Sequence, residues 1–181
     1  NFPLRPLNLY GVTKLAGERL MDVFSDNHGI TTISLRFGNV FGVGLFTHYD
    51  TVIPKFIRMG LKGEDLTVYG DGTSTRDFVH VEDIARALTL ALESKGKGSE
   101  VYNVGGETME IGALANRIVE SLRKSTGKTV GIINNTPRTG ETKEFSYLLD
   151  KIREGLGYEP TWSIQSGIEQ IIKFRLEQGD A

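Results

Sequence analysis

The sequence predicts an α/β chain, the edge of a parallel sheet followed by a smaller mixed α/β domain. Three observations carry this. Helix-like and strand-like segments alternate along the 181 residues, which favours parallel strands joined through helices. Thr31 to Phe37 is β-branched and apolar, reads as a buried strand, and runs into a glycine-rich loop, Gly38 to Gly44. The later strand segments are short and scattered, so they do not read as one large continuing sheet.

Along the chain, Pro6 precedes a helix from about Tyr10 to Asn27, with Val12, Leu15, Ala16, Leu20, Val23 and Phe24 as its apolar stripe, and Asn27-His28-Gly29 ends it. Val52 to Leu61 reads as a helix with Pro54 in its first turn. Leu66 to Tyr69 and Asp77 to Val81 are short strands around a Gly70-Asp71-Gly72 turn. A helix over Glu82 to Glu93 turns Ile84, Leu88, Ala91 and Leu92 inward, and a strand over Val101 to Val104 closes at Gly105-Gly106. The cleanest helical period is Ile111, Leu114, Ala115, Ile118, Val119 and Leu122. Thr129 to Ile133 is a strand, and Thr136 to Glu144 a polar loop. Asp150 caps a short helix ending at Gly155 or Gly157, and Ser163 caps the last one, which packs through Ile164, Ile168, Ile171, Ile172 and Phe174.

Composition narrows the function. Lys and Arg number 21 against 23 Asp and Glu, a net charge of −2, which gives no general electrostatic reason to bind nucleic acid or an anionic membrane. No apolar run approaches the roughly 18 residues of a spanning helix, and no signal-peptide pattern is present. The absence of cysteine excludes disulfides and thiolate metal sites and points to a reducing compartment, hence a cytoplasmic location. His28 and His48 have no partner at metal-ligand spacing.

Tyr10 and Lys14 share one face of the first helix at a four-residue spacing. A cation ~4 Å from a phenol favours the phenolate by roughly 4 kcal/mol at an effective dielectric near 20, enough to make a usable base. Spacing alone identifies nothing, because Tyr147 and Lys151 repeat it. Gly11 keeps bulk away from the Tyr10 hydroxyl, whereas Leu148 and Leu149 after Tyr147 look like core.

The segments around and beyond Tyr10 are more specific. Pro6 to Glu18 (PLNLYGVTKLAGE) resembles the active-site helix of the extended short-chain dehydrogenase/reductase family. Leu35 to Gly42 (LRFGNVFG) resembles that family's next strand and loop. Val52 to Ile57, Leu66 to Gly72 and Thr75 to Ala85 resemble its substrate-binding segments, and Pro137 to Glu141 and Leu156 to Pro160 complete the order. The resemblance spans nearly the whole chain and is nearest to the nucleotide-sugar epimerases and dehydratases, above all the UDP-galactose 4-epimerases.

The resemblance implies a Rossmann-type sheet edge, residues 1–42 ending a dinucleotide-binding domain. Residues 43–181 would be mainly substrate-binding, some segments returning to the cofactor-domain sheet. It implies NAD as cofactor and a nucleotide-diphosphate sugar as substrate, epimerised at C4 through a 4-keto sugar. Tyr10 would be the base, Lys14 would hold the nicotinamide ribose and the phenolate, and Phe37 would line the nicotinamide pocket. Asn39 would bond the diphosphate side, Val68 and Tyr69 would offer backbone groups to the base, and Arg76 and Arg138 would grip the phosphates. Glu141 would accept from the ribose, where the family more often has aspartate, and Phe78 would line the pocket. His80 and Asp83 match the family and read as structural. A homodimer is implied for the full-length enzyme, through helices including the tyrosine-bearing one.

Two departures stand out. After Val40-Phe41-Gly42 the family continues with proline and arginine, where this chain has Val43-Gly44-Leu45. The phosphate-cradling GxxGxxG sequence and its acidic ribose partner are absent from the 181 residues, as is the catalytic serine or threonine that precedes the tyrosine. The chain therefore reads as the C-terminal part of an epimerase, inactive by itself or assembled with a separate chain. The alternatives are a 4,6-dehydratase, a decarboxylase, or a non-catalytic nucleotide-sugar-binding relative.

Overall fold

The computed structural model describes residues 4–44, 50–137 and 143–179. Helix α1 (Leu9–His28) leads into strand β1 (Thr32–Phe37) and the short β2 (Asn39–Phe41). Then come α2 (Val52–Leu61), β3 (Leu66–Tyr69), β4 (Thr75–His80) and α3 (Val81–Glu93). The chain continues through β5 (Ser99–Val104), β6 (Glu107–Glu110), α4 (Ile111–Thr126), β7 (Ile132–Asn135), α5 (Asp150–Leu156) and α6 (Ile164–Glu177). The class is α/β with parallel sheets, as predicted.

Among the described residues the strands form three small sheets. β1 pairs parallel with β5, Thr32 opposite Ser99 and Phe37 opposite Val104. β4 lies centrally between β2, parallel, and β6, antiparallel, and β3 pairs parallel with β7. The larger core gathers Phe41, Ile53, Ile57, Leu66, Phe78 and residues of α4 and α6. A second core, including Val79, Tyr102, Val104, Ile152 and Tyr158, fills the space between β5, α3 and α5.

Local chemistry explains the helix ends. The Asn8 side chain accepts from the Gly11 N–H at 2.8 Å to start α1, and Gly29, at φ 65°, ends it. Ser163 and Ser166 form a reciprocal capping box at the head of α6.

Several expectations are corrected. Asn39–Phe41, read as loop, is a strand, because β4 supplies its hydrogen-bond partners. Glu107–Glu110, read as no element, is a strand because β4 pairs it on the other edge. The last strand lies at Ile132–Asn135 rather than 129–133, in register with β3. Leu149, not Asp150, is the cap residue of α5. Leu88 and Leu92, expected inward, are exposed, as is Leu148, while Leu149 is buried. The α1 stripe finds little cover: Val12, Leu20, Val23 and Phe24 are all exposed, and Ser25 is the buried residue of that helix.

Candidate active site

Helix α1 runs antiparallel to β1, as three contacts show. Thr32 Oγ1 donates to the Met21 carbonyl at 3.3 Å, Ser99 Oγ donates to Asp22 at 2.6 Å, and Arg36 makes a paired ion bridge to Glu18 at 2.6 and 2.7 Å. Extending this direction carries the first turns of α1 past the carboxyl end of β1. Tyr10 and Lys14 therefore stand where open α/β sheets take their ligands. Tyr10 is 71% exposed, and the Lys14 amine lies over its ring, 5.2 Å from the centroid. Phe37 ends β1 partly exposed, and its carbonyl accepts from the Tyr147 hydroxyl at 3.3 Å. Tyr147 is pushed above the ordinary phenol range by burial first, with Asp77 adding to the effect and Arg36 opposing it.

Tyr147 and Lys151 do not reproduce the Tyr10–Lys14 arrangement. Helix α5 begins only at Asp150, so the four-residue spacing does not stack the two side chains. Lys151 instead pairs with Glu100 at 2.7 Å and lies over the Tyr102 ring.

A cavity of about 230 Å³ opens between β2, β4 and the head of α2, walled by Asn39, Thr51, Lys55, Tyr69, Arg76 and Phe78 among others. Asn39 and Phe78 are register partners across β2 and β4, which brings two residues far apart in sequence to one wall. Phe78 also belongs to the core, at 1% exposure and edge-on to Phe41. The Asn39 amide donates to the Asp77 carbonyl at 3.0 Å, and Arg76 donates to the Thr75 carbonyl at 2.7 Å. Two cations, Lys55 and Arg76, one carboxylate, Asp50, and the first turn of α2 line this space, so cations outnumber the acid and the balance suits an anion. A more open cleft of about 540 Å³ continues from it, sharing Tyr69 and Ser74 and reaching Asn134, Asn135 and Lys143. Val68, expected to offer its backbone to a ligand, is 1% exposed in the β3–β7 pairing and lines neither space, because its side chain packs into the larger core.

A buried joint supports this wall. His80, at the end of β4, stacks on Trp162 at 3.9 Å and accepts from the Glu82 N–H, capping α3. Its other nitrogen bonds Gln170 at 2.9 Å. Asp83, 1% exposed, accepts from the Thr161 N–H and hydroxyl, the Trp162 N–H and Arg86. Both residues are structural.

The structure thus brings Asn39, Tyr69, Arg76 and Phe78 to one cavity; Tyr10 and Lys14 pair on α1, Phe37 ends β1, and none of these three lines that cavity. Arg138 and Glu141 lie outside the described residues. Sequence reasoning missed Lys55 and Asp77. The available signals were a lysine inside the apolar Ile53–Ile57 run and an acid beside Phe78-Val79 in a strand. Among the described residues no helix is long and apolar enough to cross a membrane.

The NAD dependent epimerase/dehydratase family profile matches residues 1–105. A putative UDP-glucose 4-epimerase of Methanocaldococcus jannaschii is 32% identical over 176 residues, covering 96% of this chain and 55% of the relative. A dTDP-glucose 4,6-dehydratase of Actinoplanes sp. is 33% identical over 171 residues, 94% of this chain and 52% of the relative. The crystal structure of UDP-glucuronic acid 4-epimerase from Bacillus cereus, in complex with UDP-glucuronic acid and NAD, superposes with a TM-score of 0.84. It is 34% identical, and the match covers 96% of this chain and 54% of that one. The chain spans about half the length of the relatives it matches. Strand pairing, ordered motifs and these matches agree: the chain belongs to the NAD-dependent epimerase/dehydratase family.

Proposed function

We propose that this chain binds a UDP-glucose-type nucleotide sugar and carries the base of an NAD-dependent 4-epimerase. The observation that carries the reading is the cavity at the β2–β4 wall, where Asn39, Tyr69, Arg76 and Phe78 converge. Arg76 and Asn39 hold the diphosphate, joined by Arg138. The backbone of Tyr69 meets the base, Glu141 accepts from the ribose, and Phe78 forms the wall under the sugar.

The reading at the nicotinamide end is supported by Lys14 lying over the Tyr10 ring on the part of α1 that leads past the carboxyl end of β1, the strand that Phe37 ends. When bound, NAD supplies reversible hydride transfer with no net redox change. Tyr10 takes the proton of the sugar C4 hydroxyl and returns it after the 4-keto sugar has turned over. Lys14 holds the ribose and favours the phenolate. Residues 1–42 act with the cofactor half together with β5, and residues 43–181 act mainly on the sugar nucleotide. The 181 residues contain no GxxGxxG cradle, so turnover requires an assembly that supplies one, and a homodimer is the proposed form of that enzyme.

Calorimetric titration with UDP-glucose tests the binding. Saturable binding is expected, weakened about tenfold or more by Arg76→Ala; absence of binding by the unaltered chain refutes the reading. In an NAD-holding assembly, Tyr10→Phe abolishes turnover and leaves sugar-nucleotide affinity in place, whereas a non-catalytic binding relative shows no turnover to lose. A 4,6-dehydratase is the second reading, favoured by the Actinoplanes relative. Product analysis separates the two, since a dehydratase accumulates a 4-keto-6-deoxy sugar.

A further inference from the structure

Asp77 sits on β4 between Arg76 and Phe78, which both line the cavity, yet its own carboxylate is buried, at 1% exposure. It packs against the ends of β1 and β5. A Cβ at Gly38 would lie 2.5 Å from Asp77 Oδ1, and a Cβ at Gly105 would lie 2.7 Å from the same oxygen. These two glycines come directly after the register pair Phe37–Val104, so one carboxylate closes the ends of two parallel strands. Neither position has room for a side chain while Asp77 is there.

The partners of Asp77 come from separate segments. The carboxylate accepts from the Gly106 N–H at 3.0 Å, in the link from β5 to β6, and from the Thr108 hydroxyl at 3.4 Å. The backbone of Tyr147 lies near enough to favour the charged carboxylate. Its main-chain carbonyl holds the Asn39 amide at 3.0 Å. The Tyr147 segment is tied to β4 at earlier points too, by Thr75 N–H to the Lys143 carbonyl and Phe145 N–H to Thr75 Oγ1. From there Tyr147 reaches the Phe37 carbonyl. Asp77 is thus the point where the cavity wall, the strand ends and the Phe37 corner are fixed to one another.

We propose that Asp77 is a positioning residue, which holds the nucleotide-sugar cavity and the Tyr10–Phe37 corner in one frame through Gly106, Asn39 and the backbone of Tyr147. This inference rests on the functional reading above and deepens it. Asparagine has nearly the same shape but replaces one acceptor oxygen by an N–H₂ group. That group faces the Gly106 or the Tyr147 N–H, so one of the two ties is lost and its segment loosens.

The test compares the unaltered chain with Asp77→Asn by amide hydrogen exchange and by calorimetric titration with UDP-glucose. The expected result is local: exchange at Gly106 and residues 145–147 rises about tenfold, exchange in the middle of α4 stays as it was, and UDP-glucose binds about five- to tenfold more weakly. Unchanged local exchange overturns the inference. So does a uniform rise throughout the chain, which marks a purely structural role, and so does an affinity within about twofold of the unaltered chain. If the unaltered chain does not bind UDP-glucose, the functional reading falls, and the exchange pattern alone decides the role of Asp77. Should Asp77→Asn not fold, Asp77→Ser removes the carboxylate and withdraws the acceptor from Gly106 and Tyr147, with the same local exchange and the same weakening of UDP-glucose binding expected, and the same results overturning the inference.

Discussion

Helices α1 and α4 carry apolar stripes of similar reach and meet opposite fates. Helix α4 buries Leu114, Ala115, Ile118 and Leu122 against β3, α2 and α6. Helix α1 leaves Val12, Leu20, Val23 and Phe24 open, and its ties to β1 and β5 are largely polar, through Glu18, Met21 and Asp22. Helical period states which face of a segment is to be covered, and it carries no information on what covers it. The residues proposed for proton transfer ride on the thinly covered helix, and those proposed for ligand binding rest on the closed core.

The sharpest way to break this contrast is truncation. Ile118→Ala removes a fully buried side chain and is expected to cost about 2–5 kcal/mol in urea unfolding, while Val23→Ala changes stability by less than about 0.5 kcal/mol. Equal costs at the two sites would mean that α1 is covered in solution. Next in size is the joint below the cavity. Asp83→Ala leaves the N–H groups of Thr161 and Trp162 without their acceptor and is expected to cost about 1–3 kcal/mol, read by thermal melting.

The open stripe gives a third measure. Exposed apolar side chains along one helix favour self-association, so light scattering at micromolar concentration should show a species larger than the monomer. Leu20→Lys with Val23→Lys should weaken that association about tenfold or more. A monomer before substitution would count against α1 as a contact face. Tyr10→Phe is expected to move the melting temperature by less than about 2 °C, since the ring is largely exposed and its hydroxyl supports no core. A larger drop would make Tyr10 structural.

The smallest effect is a pH dependence at Asp77, whose carboxyl is raised above its ordinary range chiefly by burial. A carboxyl raised in the fold contributes stability that is fully present below its unfolded value, near pH ~3.9, and lost as pH rises through the folded value. The melting temperature of the unaltered chain relative to Asp77→Asn should therefore fall between pH 4 and pH 7. A rise over that interval would show that the charged form is the favoured one.

Much of the fold is legible in the sequence. The helices announce themselves by period and by their glycine ends, and β1 by its β-branched run. Strands β2 and β6 are not legible: Asn39–Phe41 offers three residues, too few for an alternating pattern, and Glu107–Glu110 has Met109 as its one large apolar residue. Both exist because β4 lies between them. The same holds for the candidate site. Motif order points to Asn39, Arg76 and Phe78, but that Asn39 and Phe78 stand opposite each other comes from strand register, which no local pattern encodes. Asp77 is hidden for the complementary reason, since an isolated acid in a strand looks solvent-facing until two glycines are seen to make room for it.

The pairing of β1 with β5 also sets a timetable for synthesis. The pairing of Thr32 with Ser99 waits until Ser99 has been made, and Leu66 waits similarly for Ile132. At about 5–20 residues per second, β1 waits roughly 3–13 s on the ribosome for β5. Parallel strands joined across such separations close slowly even once complete. The nascent chain therefore passes through an interval in which its most β-prone segment is open to wrong pairing, and yield of the soluble chain should depend on how fast residues 38–104 emerge after it.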